Sequence, residues 1–295
     1  MTRRGAFPPI GRMSETVDDI VWRGMTRAQL DAAYNNGAAV ADSAARIAEW
    51  TGRSARLRER HPDALDLRYE ARERNRIDIF RNGAADAPLF VFFHGGYWQR
   101  NAKEIFSFLA EGPMAAGFDV ALAGYTLAPD ARLSEIVAET HAAIRWLRHE
   151  GGRHGVGRGK LIVSGWSAGG HLTAMAMGLA GVDAGLAISG VFDVEPCRLN
   201  YLNDKLGLSA AEAVAMSPLR HSPPRAGPLA VAYGTHELPE LQRQSRDYFQ
   251  AWADAGLPGR LLPLAGRNHY TILEQLAAPD GEVTAALRSL VAGPA

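Results

Sequence analysis

The sequence predicts an α/β protein: a mostly parallel sheet flanked by helices, with a helical extension at the N-terminal end. Three observations predict it. From about residue 85 onward, short apolar runs alternate with longer amphipathic ones, the pattern of βαβ units. Several of the short runs are apolar at consecutive positions, as strands buried on both faces require. The chain's 295 residues, 47% hydrophobic and 22% charged, suffice for one large domain with a substantial core.

The elements follow in chain order. Residues 14–60 read as helical, with Trp22, Tyr34 and Trp50 as apolar anchors. "LDLRYEA" (65–71) and "RIDIF" (76–80) alternate polar and apolar, predicting an antiparallel pair at the start of the sheet. Strands are then expected at "LFVFF" (89–93), "DVALAG" (119–124), "KLIVSG" (160–165), "GLAISG" (185–190), "LAVAYG" (229–234) and "RLLPL" (260–264). Between them, Leu133, Ile136, Val137, Ile144 and Leu147 fall at helical spacing within residues 132–148. Residues 240–255 and 280–291 read similarly, and the Pro-rich "SPPRAGP" (222–228) delivers the chain into a strand. The division expected is an N-terminal segment, 1–64, forming part of a cap, and an α/β body, 65–295, in one domain overall.

Composition removes several functions. Thirty-two basic and 32 acidic side chains cancel, so no overall field draws the chain to nucleic acid or to a membrane. The basic runs "RSARLRERH" (53–61) and "RYEARERNR" (68–76) are interleaved with glutamate and read as solvated faces. One cysteine, Cys197, excludes an internal disulfide, and "MTRRGAFPPI" lacks the apolar core of a signal peptide. The expectation is a soluble cytoplasmic protein, with no transmembrane run. No H-E-x-x-H, G-x-G-x-x-G or P-loop occurs, so neither a metal nor a nucleotide cofactor is expected.

The stretch "VSGWSAGGH" (163–171) carries the chemistry. Ser167 stands in G-x-S-x-G, behind a buried strand and before an apolar helix, the setting of a nucleophile elbow. So tight a turn brings positions 165 and 169 together, hence Gly165 and Gly169. It also presents the Ala168 N–H at a helix N-terminus, where a developing oxyanion is favoured. A serine nucleophile needs a base, and His269, in a loop after the last strand, has the expected position. His221 and His236 sit around the penultimate strand and read as surface residues, and His171 as a packed helix residue. The carboxylate that orients the base belongs after the penultimate strand, where "YGTHELPEL" offers Glu237 first and Glu240 second. Asp193 in "SGVFDVEP" is the other contender. "FFHGGYWQ" (92–99) follows a buried strand and supplies candidate oxyanion donors at Gly95, Gly96 and Tyr97, with His94 bracing the loop. Tyr97, Trp98, Trp166 and Tyr125 lie near the reacting centre in sequence and are candidate walls for an aromatic substrate.

"HGGYWQ", "GWSAGGHL", "SGVFDVEP", "RQSRDYFQAW" and "NHYTILEQL" together resemble the α/β-hydrolase arylformamidases, or kynurenine formamidases, which are close to His-Gly-Gly esterases. The similarity runs from about residue 26, "TRAQLDAAYNNG", to about 276. The resemblance implies an α/β-hydrolase fold and hydrolysis of N-formyl-L-kynurenine to kynurenine and formate, with Ser167 as nucleophile and His269 as base. The chain departs from the family pattern in one place, with Glu237 where an aspartate is expected. An esterase acting on short-acyl or aryl esters is the alternative, and a non-catalytic ligand-binding module the remote one. The expected partner is a small, aromatic substrate, and the reading allows a homodimer.

Overall fold

A computed structural model describes residues 19–292. The helical expectation for residues 14–18 lies outside them. Just beyond, residues 20–26 form not a helix but a hairpin, β1 (Ile20–Trp22) and β2 (Met25–Thr26). The reason is local: Arg23 and Gly24 both adopt positive φ, 44° and 81°, which breaks a helix and closes a turn. Helices then follow as expected, in three pieces, α1 (Arg27–Ala33), α2 (Asn36–Ala39) and α3 (Ser43–Arg60). Thr26 begins α1 with a capping box to Gln29.

Eight strands form the main sheet: β3 (Leu67–Arg68), β4 (Arg76–Phe80), β5 (Leu89–Phe93), β6 (Asp119–Ala123), β7 (Leu161–Trp166), β8 (Ala184–Ile188), β9 (Leu229–Gly234) and β10 (Gly259–Leu264). Their spatial order is β10-β9-β8-β7-β5-β6-β4-β3, with β4 antiparallel to both neighbours and all other pairings parallel. The expected antiparallel opening pair is β3–β4, but its first strand is only two residues long. Asp66 takes positive φ, 57°, and the Tyr69 N–H turns back to Asn75 O, so "LDLRYEA" is mostly a bend.

Side chains alternate across the sheet with the strand period of two. Leu89, Val91 and Phe93 join one core layer with helices Leu133–Glu150, Ala168–Ala176 and Pro239–Asp254. Phe90 and Phe92 join the other, with α3, the 3-10 helix Lys103–Ala110 and helix Glu282–Ala292. Leu133, Ile136, Val137, Ile144 and Leu147 are all buried, each worth roughly 1.5–3 kcal/mol by area alone. The basic runs are not uniformly solvated. Arg58 pairs with the buried Asp78, and Arg74 donates to the Tyr125 and Asn101 carbonyls. Among the described residues no helix is long and apolar enough to cross a membrane.

Parallel strands all end on the same side. The loops after β5, β7, β8, β9 and β10 therefore converge at one carboxyl edge, where open sheets of this kind bind ligands.

Candidate active site

Ser167 sits between β7 and helix Ala168–Ala176 with φ 58° and ψ −115°, a region that costs a non-glycine residue roughly 1–3 kcal/mol. Close packing holds it there. A Cβ on Gly165 would stand 2.3 Å from Gly169 O, and one on Gly169 only 1.9 Å from Phe93 O. The Ser167 N–H donates to Ile188 O at 2.8 Å and its carbonyl accepts from the His171 N–H at 3.1 Å, pinning the turn on both sides.

His269 follows β10 and is buried, with Nδ1 3.2 Å from Glu237 Oε2. A carboxylate only accepts, so the proton belongs on Nδ1 and Nε2 is left as an acceptor. The loop is held by Trp166, whose Nε1–H donates to His269 O at 2.7 Å and whose ring lies 4.8 Å from the imidazole. The other Glu237 oxygen accepts from Ser189 Oγ and from the Gly234 N–H, both at 2.6 Å. Ser167 and His269 line one cavity, although no hydrogen bond joins their side chains among the described residues.

The other two acids are engaged elsewhere. Glu240 binds Arg243, Trp22 Nε1 and the Tyr34 hydroxyl. Burial would raise its carboxyl pKa, but the Arg243 hydrogen bond and charge override it and hold the group below the usual range. Asp193 accepts from the Glu195 N–H at 3.1 Å and from Ser217 Oγ at 3.2 Å, and pairs with Arg220, which makes it a turn anchor.

After β5 the loop comes so close to the elbow that only glycine fits. A Cβ on Gly95 would meet Trp166 Cε3 at 2.5 Å and Ser167 Cβ at 3.0 Å. Gly96 has φ +121°. The N–H groups of Gly95, Gly96, Tyr97 and Ala168 have no backbone acceptor among the described residues. His94 braces this loop, with Nδ1 2.9 Å from Gly95 O and its ring stacked 4.3 Å from Tyr125. Burial lowers its pKa to about 4, so it is neutral at neutral pH.

Of the four aromatic residues expected in the walls, Tyr97 and Trp166 line the cavity. Trp98 and Tyr125 do not. Trp98 is fully buried, edge-on to His171 at 4.9 Å, and Tyr125 is fully buried with its hydroxyl donating to His94 O. Both support the loop from behind. Sequence reasoning missed the opposite wall, formed by Asn36, Ser43 and Ile47 together with Arg100, Asn101 and Tyr270. A signal existed, because "TRAQLDAAYNNG", the stretch with which the similarity begins, contains Asn36 and Gly37.

Comparison with known proteins finds hydrolases. A family model described as BD-FAE matches residues 77–216. Kynurenine formamidase from Danio rerio is 26% identical over 92% of this chain and 98% of its own. A crystal structure from Silicibacter sp. TM1040, described as that of a thioesterase, superposes with a TM-score of 0.79 at 28% identity, covering 88% of this chain and 99% of that one. An esterase from Pyrobaculum calidifontis shares the fold, with a TM-score of 0.63 at 20% identity over 73% of this chain and 81% of that one.

Proposed function

We propose that this hydrolase, an α/β-hydrolase-fold homologue of the kynurenine formamidases, cleaves aryl formamides, N-formyl-L-kynurenine foremost, through a formyl-enzyme on Ser167. The observation that carries the reading is the buried contact of Glu237 Oε2 with Nδ1 of His269, which shares one cavity with the strained Ser167 turn.

The steps follow from those groups. His269 Nε2 takes the Ser167 proton as Oγ attacks the formyl carbonyl. The oxyanion is met by N–H groups from Gly95, Gly96 or Tyr97 and from Ala168, each worth roughly 3 kcal/mol of barrier. His269 then protonates the departing arylamine, and water hydrolyses the formyl ester, releasing formate and restoring Ser167. Tyr97, Trp166 and Tyr270 give the cavity aromatic walls suited to the aryl group. The fully buried Cys197, single in the sequence, is consistent with a reducing compartment and supports a cytoplasmic location.

Ester cleavage by the same steps is the second reading, favoured by the esterases among its structural neighbours. The test is kcat/KM for N-formyl-L-kynurenine and for 4-nitrophenyl acetate, with wild type and Ser167→Ala. A formamide preference of orders of magnitude, abolished in the variant, is the expected result. A strong ester preference moves the assignment to an esterase, and a Ser167→Ala enzyme of near-full rate removes Ser167 from the mechanism.

A further inference from the structure

The cavity that holds Ser167 and His269 has a second wall, contributed by α2, α3 and the loop after β5, that the hydrolytic steps leave unused. Asn36 and Arg100 stand in it. Asn36 is only 5% exposed, and a relay of hydrogen bonds settles the orientation of its amide. The Tyr97 hydroxyl donates to Tyr34 O at 2.8 Å, so its oxygen is free to accept, and Asn36 Nδ2 donates to it at 2.9 Å. Asn36 Oδ1 is therefore the atom left over, and it has no donor among the described residues. A buried acceptor in that state has lost its hydration without compensation, which a donor carried in by a ligand relieves.

Arg100 is the complementary group. It is exposed at the same cavity and makes no ion pair among the described residues. Its charge reaches the neighbouring phenols: burial raises the Tyr270 and Tyr201 hydroxyls, and the Arg100 guanidinium opposes that rise. An unpaired cation and an orphaned acceptor within one cavity are the mirror of a zwitterion.

We propose that Arg100 and Asn36 form a subsite for an α-amino-acid head group, Arg100 taking the carboxylate and Asn36 Oδ1 the ammonium. The enzyme thereby selects aryl substrates that carry such a head over plain ones. The proposal rests on the Ser167 cavity being the substrate site, as in the function proposed above, but its test needs no turnover.

Calorimetric titration of wild type and Arg100→Gln with three arylamines reads it directly. L-Kynurenine carries the whole head, 4-(2-aminophenyl)-4-oxobutanoate lacks only the ammonium, and 2-aminoacetophenone lacks both groups. In wild type, Kd for L-kynurenine lies about 30-fold below that for 2-aminoacetophenone, the worth of one charge-assisted hydrogen bond, with the deaminated acid between them. Arg100→Gln shrinks the ratio roughly tenfold or more, and Arg100→Lys restores only part, having the charge without the fork. Equal binding of headed and headless ligands by wild type overturns the subsite, and so does a ratio unchanged in Arg100→Gln. Equal binding of kynurenine and the deaminated acid removes Asn36 from it. If the ratios hold while formamide is not cleaved, the reaction assignment fails and the subsite stands. Cleavage with a flat ratio is the reverse outcome.

Discussion

Glu237 reaches one methylene farther than an aspartate would, and that added freedom has to be immobilised before the carboxylate can orient an imidazole. Ser189 and the Gly234 N–H both grip Oε1, leaving Oε2 directed at His269. Glu237→Ala is therefore expected to lower kcat about 10³-fold, since the base loses its tautomer control. Ser189→Ala should lower it about tenfold with KM little changed, as outer supports of a working side chain typically do, and Ser189→Thr should recover most of the loss. A change in KM alone on formamide or ester would demote both residues to structural roles. At this scale local geometry is legible and remote partnership is not. Gly165, Ser167 and Gly169 lie within five residues, and their spacing already implies the collision that forces the glycines. Ser189 and Glu237 are 48 positions apart, and nothing around Ser189 marks it as a partner. Trp98 illustrates the converse: it follows closely on Gly95 and Gly96 in sequence, yet its positive φ, 58°, accompanies a ring packed onto His171 rather than into the cavity.

Elements lock together around one buried charge. Asp78 on β4 is fully buried and accepts from Lys103 Nζ and from the Asp66 N–H, each at 2.7 Å, and from Arg58 of α3. Four pieces of chain, α3, the Asp66 turn, β4 and the Lys103–Ala110 helix, thus share one carboxylate. Removing it leaves Lys103, itself 3% exposed, and the half-buried Arg58 partly uncompensated. Asp78→Ala should cost roughly 3–5 kcal/mol, read as a lower urea midpoint at unchanged slope. A loss under about 1 kcal/mol would show that water or the remaining acids take over. This cluster also explains why reading the basic runs as solvated faces holds only in part: charge interleaving says that arginines alternate with glutamates, not which of them meet a carboxylate from another element. Strand positions fared better, because consecutive apolar residues in β5 to β9 demand burial on both faces whatever the partner strand.

Across the whole molecule, helices α1 and α3 are built into the core layers. Leu30 and Tyr34 join one, Trp50 and Leu57 the other, and α2 and α3 close the cavity. Two buried histidines make this packing sensitive to acid. Loss of hydration lowers His94 and His171 from 6.5 to about 4 in the folded protein. The unfolded chain then binds the extra protons first, so stability is fully present above about pH 6.5 and is lost as pH falls toward 4. Each histidine contributes at most ~3 kcal/mol to that loss. Urea unfolding between pH 7 and pH 4.5 should therefore show falling stability, with a shallower slope in His171→Gln. An identical slope in that variant would remove His171 as a source.

By itself the sequence determined the α/β class, the positions of the six strands from residue 89 onward and the tight turn at Ser167, because periodicity and steric exclusion act between residues a few positions apart. Tertiary structure alone decided which acid meets His269, which aromatic rings face the cavity, and that Asn36 and Arg100 share a wall with Ser167. Those depend on where separate chain segments end at the carboxyl edge of the sheet, and such convergence leaves no periodic trace in any one segment.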